Sequence, residues 1–159
     1  MTQSQSILFV CLGNICRSPL AEGVFVHRMT EAGMADRFRV DSAGTGNWHA
    51  GERADARMRE TASRHGVPLH SRARQVVADD FSMFDHIIAM DDSNVSELLE
   101  RGCPQDRLRL LLEVDPDASV REVPDPYYGG ADGFEEVFQL VDRACARLLE
   151  ELTDGKSGS

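Results

Sequence analysis

The chain has 159 residues, 42% of them hydrophobic, with 17 basic and 27 acidic groups and a net charge of −10. That length fits one domain with a core large enough to need no staples. The acidic balance argues against a nucleic-acid binder, which needs a basic footprint for phosphates. The charge is also uneven, net +3 over residues 1–78 and −13 over residues 79–159, so an anion site belongs in the first half.

No apolar run approaches the ~18 residues of a membrane span. Residues 1–6 carry no basic start for a cleavable signal peptide. Four cysteines in such a chain read as reduced thiols and not as a disulfide framework, which points to the cytoplasm.

Residues 7–10 form a short apolar run that reads as a strand, followed by a glycine-containing loop and a helix opened by Ser18 and Pro19. Strands are expected over 38–40, 86–90 and 108–112, and helices over 54–65 and 93–101, the latter closed by Gly102. In the last helix Phe134, Val137, Phe138, Val141, Cys145, Leu148, Leu149 and Leu152 fall on one stripe, at a spacing that only a helix puts on one face. Alternating strands and helices predict a parallel sheet covered on both faces. One domain spans 1–153, and 154–159 reads as a disordered tail. The mixed loops 42–53 and 114–133 belong beside the carboxyl ends of the strands, where such sheets bind ligands.

The first loop carries the chemistry. Cys11, Leu12, Gly13, Asn14, Ile15, Cys16, Arg17 and Ser18 contain Cys-x5-Arg-Ser between a strand and a helix, a pattern expected by chance roughly 0.04 times in this composition. Backbone N–H groups turning into a helix N-terminus make a concave anion site. Gly13 permits the turn, and Arg17 adds a planar fork for two phosphoryl oxygens. The same field favours the thiolate of Cys11 as a nucleophile, and Ser18 is placed to donate to its sulfur. Taken singly, these residues read as a core cysteine, a helix-start charge and an N-cap. Only their combination outweighs those plainer roles. Cys11 and Cys16 lack the companions of a zinc site, so no metal is expected.

The stretch 10–22, with Asp41-Ser42-Ala43-Gly44, Arg74-Gln75 and Asp125-Pro126-Tyr127-Tyr128, resembles the low-molecular-weight protein tyrosine phosphatases over about residues 7–150. The resemblance implies a flavodoxin-like three-layer sandwich with a four-stranded parallel sheet, no cofactor or metal, and hydrolysis through a phosphocysteine intermediate. It makes Asp125 the general acid and base: a carboxyl near an incoming dianion keeps its proton longer, and Pro126 stiffens its loop. An ordinary turn aspartate is the plainer role of Asp125, and Asp115, Asp117 and Asp132 lie nearby in sequence. The resemblance further implies that Trp48, Tyr127 and Tyr128 wall an aryl slot, and that Asn14 and Ser42 support the loop. It also implies phosphotyrosyl proteins as substrates, a tyrosine kinase as a partner, and a monomer. Where the family often has His, this chain has Ser71, so the loop support is expected to be wired differently, with His70 as a substitute. Cys16 fits either a redox partner of Cys11 or a buried small residue. An arsenate reductase of this fold needs relay cysteines after residue 75, and only Cys103 and Cys145 occur there. A phosphocarrier has little use for Asp125, and a phosphoarginine phosphatase tends to carry Thr in place of Ile15.

Overall fold

The computed structural model describes residues 4–126 and 131–157. Strands β1 (Gln5–Cys11), β2 (Phe38–Gly44), β3 (His86–Ala89) and β4 (Leu108–Leu110) form one parallel sheet in the order β2-β1-β3-β4. Helices α1 (Arg17–Glu31), α2 (Ala56–Arg64), α3 (Asp80–Met83), α4 (Asp92–Glu100) and α5 (Ala131–Ser157) lie along the connections and at the end. The result is the expected three-layer, flavodoxin-like sandwich.

β1 has neighbours on both edges and helices on both faces, which is why its sequence is a continuous apolar run. Strand alternation then divides its residues between two cores. Ile7, Phe9 and Cys11 join Leu20, Val24, Phe25, Val141 and Leu148 on the α1/α5 side. Leu8 and Val10 join Phe81, Phe84, Ile87 and Leu98 on the other. The α5 stripe read from the sequence is buried except for Leu149, which is partly buried at its edge, and Arg28 of α1 grips Asp142 of α5 through two hydrogen bonds of 2.8 and 2.9 Å. No helix among the described residues is long and apolar enough to cross a membrane.

Four boundaries differ from expectation. β2 continues through Gly44 because pairing with β1, in the register Cys11 with Gly44, carries the polar residues Asp41 and Ser42 into the ladder. Ser42 is therefore in a strand and not in the loop. β4 stops at Leu110, whose N–H donates to the Glu113 carboxylate at 2.7 Å as residues 111–114 turn into a 3-10 helix. α2 begins at Ala56 because Asp55 caps it, accepting from the Arg57 N–H at 2.8 Å. Helical backbone in α5 extends to Ser157, into the stretch read as a tail.

β1 and β3 are adjacent, so the loops after them diverge from one point at the carboxyl edge of the sheet. A crevice opens there.

Candidate active site

Cys11 ends β1 and Arg17 begins α1, so the six-residue reach between them is fixed by a strand end and a helix start. Asn14 bends the loop in a left-handed conformation (φ 56°), which asparagine tolerates better than most residues. Its side chain locks that bend. The Arg74 N–H donates to Asn14 Oδ1 at 3.0 Å. Since a backbone N–H can only donate, the amide nitrogen must face the other way, where it donates to Ser18 Oγ at 2.7 Å. The Ser18 proton is then free for the Cys11 sulfur at 3.0 Å, closer than the alternative acceptor, the Ala43 carbonyl at 3.4 Å.

The loop backbone is held at its outer side and left open at its inner side. Thr45 N–H donates to the Cys11 carbonyl and Gly46 N–H to the Leu12 carbonyl, both at 2.9 Å, and Asp55 N–H donates to the Ile15 carbonyl at 2.8 Å. A side chain at Gly44 would meet the Leu12 carbonyl oxygen at 2.8 Å, so β2 approaches the loop as closely as only glycine allows. Among the described residues, no group accepts from the N–H of any of the seven residues Leu12 to Ser18.

Arg17 is 3% exposed. Its Nη1 donates to Asp91 Oδ2 at 2.7 Å and to the Val123 carbonyl at 3.0 Å. Nη2 stands 3.8 Å from Asp125 Oδ2. Nε and Nη2 make no hydrogen bond, yet no buried side-chain nitrogen or oxygen among the described residues lacks a partner, so this edge of the guanidinium opens on the cavity. Burial works against the charge, but the Cys11 sulfur and the Asp91 carboxylate outweigh it and hold the Arg17 pKa above its ordinary value.

The cavity holds about 90 Å³ and is lined by Cys11, Leu12, Gly13, Ile15, Cys16, Arg17, Trp48, His49 and Asp125. Sulfur, guanidinium and carboxylate thus meet at one mouth. Cys16 is the second thiol on this wall. Burial, with Asp55 and Cys11 adding to it, pushes its pKa far above the ordinary thiol range, so it stays protonated.

The Ser42 hydroxyl donates to Glu22 Oε1 of α1 at 2.6 Å, and no side-chain hydrogen bond joins Ser42 to the loop among the described residues. Burial raises the Glu22 pKa, opposed by the Ser42 hydrogen bond, and Ser71 also stabilises the charged form. Ser71 therefore joins the same carboxylate cluster, whereas His70 is exposed. Tyr127 and Tyr128 lie outside the described residues.

The sequence reading missed Asp91 and His49. Asp91 serves two ends at once, capping α4 through Asn94 N–H at 2.8 Å while its other oxygen holds Arg17. An aspartate three residues before an asparagine signals only the cap. His49 sits beside Trp48, with Nδ1 3.2 Å from Glu52 Oε1 and its ring against Gly13.

The family model described as low molecular weight phosphotyrosine protein phosphatase matches residues 6–157. A low molecular weight protein-tyrosine-phosphatase of Streptomyces coelicolor is 43% identical over 158 residues, covering 96% of each chain. The crystal structure of a protein tyrosine phosphatase from Entamoeba histolytica, with Hepes in its active site, superposes with a TM-score of 0.92 at 42% identity, over 96% of this chain and 99% of that one. A drosophila arginine phosphatase is similar at a TM-score of 0.85 and 33% identity, over 92% of this chain and 97% of the other.

Proposed function

Because the chain belongs to the low molecular weight phosphotyrosine protein phosphatase family and is a hydrolase, we propose that it dephosphorylates phosphotyrosyl proteins through a phosphocysteine on Cys11. One observation carries this reading: five loop residues whose backbone N–H groups have no acceptor among the described residues, Leu12, Gly13, Ile15, Cys16 and Arg17, line one cavity with the Cys11 sulfur and the open edge of the Arg17 guanidinium. Such a cradle suits the three equatorial oxygens of a transferring phosphoryl group.

In the first step the Cys11 sulfur attacks phosphorus, the sulfur–phosphorus bond forms, and the bond to the aryl oxygen breaks. Asp125 gives that oxygen its proton, so phenol and not phenolate leaves. In the second step the Asp125 carboxylate takes a proton from water, whose oxygen attacks phosphorus. The bond to sulfur breaks, and inorganic phosphate departs. Ser18 stabilises the sulfur anion at both ends of the cycle. Asp91 and the Val123 carbonyl turn the guanidinium so that its free edge meets the phosphate. Ile15 and Trp48 supply apolar walls for an aryl ring, and Tyr127 and Tyr128 follow Asp125 closely enough in sequence to complete the slot. The reading carries with it a tyrosine kinase as the source of substrate and action as a cytoplasmic monomer.

The test is rapid acid quench of wild type, Cys11→Ser and Asp125→Asn with two aryl phosphates, one with a poor and one with a good leaving group. Wild type should yield a phosphorylated Cys11 with or without chelator, and Cys11→Ser should yield none and turn nothing over. Asp125→Asn should lose about 10² to 10⁴ in kcat on the poor leaving group and much less in the first step on the good one. Turnover by Cys11→Ser would refute the covalent step, and equal losses on both esters would remove Asp125 from the role of acid.

A further inference from the structure

Gly46 follows β2 and lies under the ring of Trp48, the chain's single tryptophan. A β-carbon built on Gly46 would stand 2.0, 2.3 and 2.7 Å from three carbons of the indole six-membered ring, far inside contact distance. Glycine often occupies such a place for a left-handed backbone, but Gly46 is not among the glycines with positive φ. The three atoms nearest to such a side chain all belong to the indole. Trp48 is itself 60% exposed and, apart from this platform, has a tilted contact with His49 at 6.4 Å between ring centres. The platform in turn is fixed to the reacting loop, because Gly46 N–H donates to the Leu12 carbonyl, one residue from Cys11.

We propose that Gly46 is a positioning residue whose missing side chain seats the Trp48 indole as the aryl-facing wall of the site, in register with Cys11. The inference rests on the reading that Trp48 faces the substrate ring. The seat explains how an exposed aromatic residue on a loop stays aimed: its six-membered ring packs against a backbone that is hydrogen-bonded to the loop. A methyl group at position 46 would displace the ring outward toward solvent and leave the chain path intact, because the atoms it meets are the mobile edge of an exposed side chain.

The experiment is Gly46→Ala, Trp48→Ala and the double variant, each assayed with an aryl phosphate, with inorganic phosphate as competitive inhibitor, and by acrylamide quenching of the indole emission where Trp48 is kept. Gly46→Ala should raise KM for the aryl phosphate about 3- to 10-fold, in the range of one lost aromatic contact, and leave kcat within about 2-fold. Inhibition by inorganic phosphate, which fills the loop and not the slot, should not change, and the indole should be quenched more readily. Trp48→Ala should raise KM similarly, and adding Gly46→Ala to it should change nothing further. A KM rise from Gly46→Ala that persists without Trp48 would overturn the seat, as would unchanged KM and quenching while Trp48→Ala is impaired. An unaltered aryl KM in Trp48→Ala would instead overturn the reading of Trp48 on which the proposal stands.

Discussion

Two arginines, each between two aspartates, serve the loop, one from within it and one from behind, and they are used in opposite ways. Arg74, behind the loop, directs Nε and both terminal nitrogens to Asp41 and Asp80 at 3.0 to 3.3 Å, which uses up its fork. Arg17, in front, is more deeply buried yet satisfied along only one edge. Leaving donors of a buried cation without acceptors is costly unless something else takes them up. A saturated arginine is mortar, and one held by half its donors is, on the proposed function, a receptor. The contrast separates structural from binding arginines better than burial does, since burial alone would rank Arg17 as the more structural.

The sharpest way to break that contrast is to change the fork and keep the charge. Arg17→Lys should cost about 10² to 10³ in kcat/KM, nearly as much as removing the side chain, because a point charge cannot make two parallel hydrogen bonds to one phosphoryl group. Thermal unfolding should move little by comparison. A Lys variant retaining most of its kcat/KM would dissolve the distinction.

Arg74→Ala should show the mirror image. Asp80, 4% exposed, would lose its cation. Removing one partner of a fully buried pair costs about 3 to 5 kcal/mol, and the partial exposure of Arg74 brings this nearer 2 kcal/mol, or roughly 4 to 8 °C in Tm. Activity per folded molecule should fall little, because the contacts of residue 74 with the loop are made by its backbone: its N–H to Asn14 and its carbonyl to the Gly44 N–H. Calorimetry beside steady-state kinetics reads both.

The smallest effect sharpens the comparison at Glu22, a half-buried carboxylate for which no ion pair with an arginine occurs among the described residues. Burial is the main cause that raises its folded-state pKa. The protonated form is therefore favoured by folding, and the stability it contributes is present at low pH and lost as pH rises through the folded pKa. Glu22→Gln keeps an acceptor for the Ser42 hydroxyl. It should make the protein about 0.5 to 1 kcal/mol more stable at neutral pH and flatten the pH dependence between the ordinary carboxylate range and the folded pKa. Denaturant midpoints from pH 4 to 8 would show it, and a loss of stability at pH 7 would contradict it.

Legibility in the sequence followed the strength of local signals. β1, α1, α4 and α5 show themselves through apolar runs or helical spacing that one residue stretch contains by itself. The far half of β2 does not: Asp41 and Ser42 are polar, and only pairing with β1 makes them strand. The end of β4 depends on Glu113 reaching back to Leu110, a side-chain event with no periodicity. At the site, the loop from Cys11 to Ser18 was readable because its spacing is contiguous. Asp91 was not, since its pairing with Arg17 joins positions 74 residues apart and its capping role already accounts for an aspartate there. Ser42 was assigned to loop support, and the structure instead directs it to Glu22.

The order in which the site's pieces occur along the chain has a consequence during biosynthesis. Cys11 and the loop are made first, whereas Asp91, Val123 and Asp125, which orient Arg17 or complete the cavity wall, come up to 114 residues later. At 5 to 20 residues per second that is an interval of about 6 to 23 s. α5, which closes one core over β1 and α1, emerges later still. A ribosome-bound chain therefore carries Cys11 well before Asp125, and the cavity wall that the two share cannot be complete until residue 125 has been made.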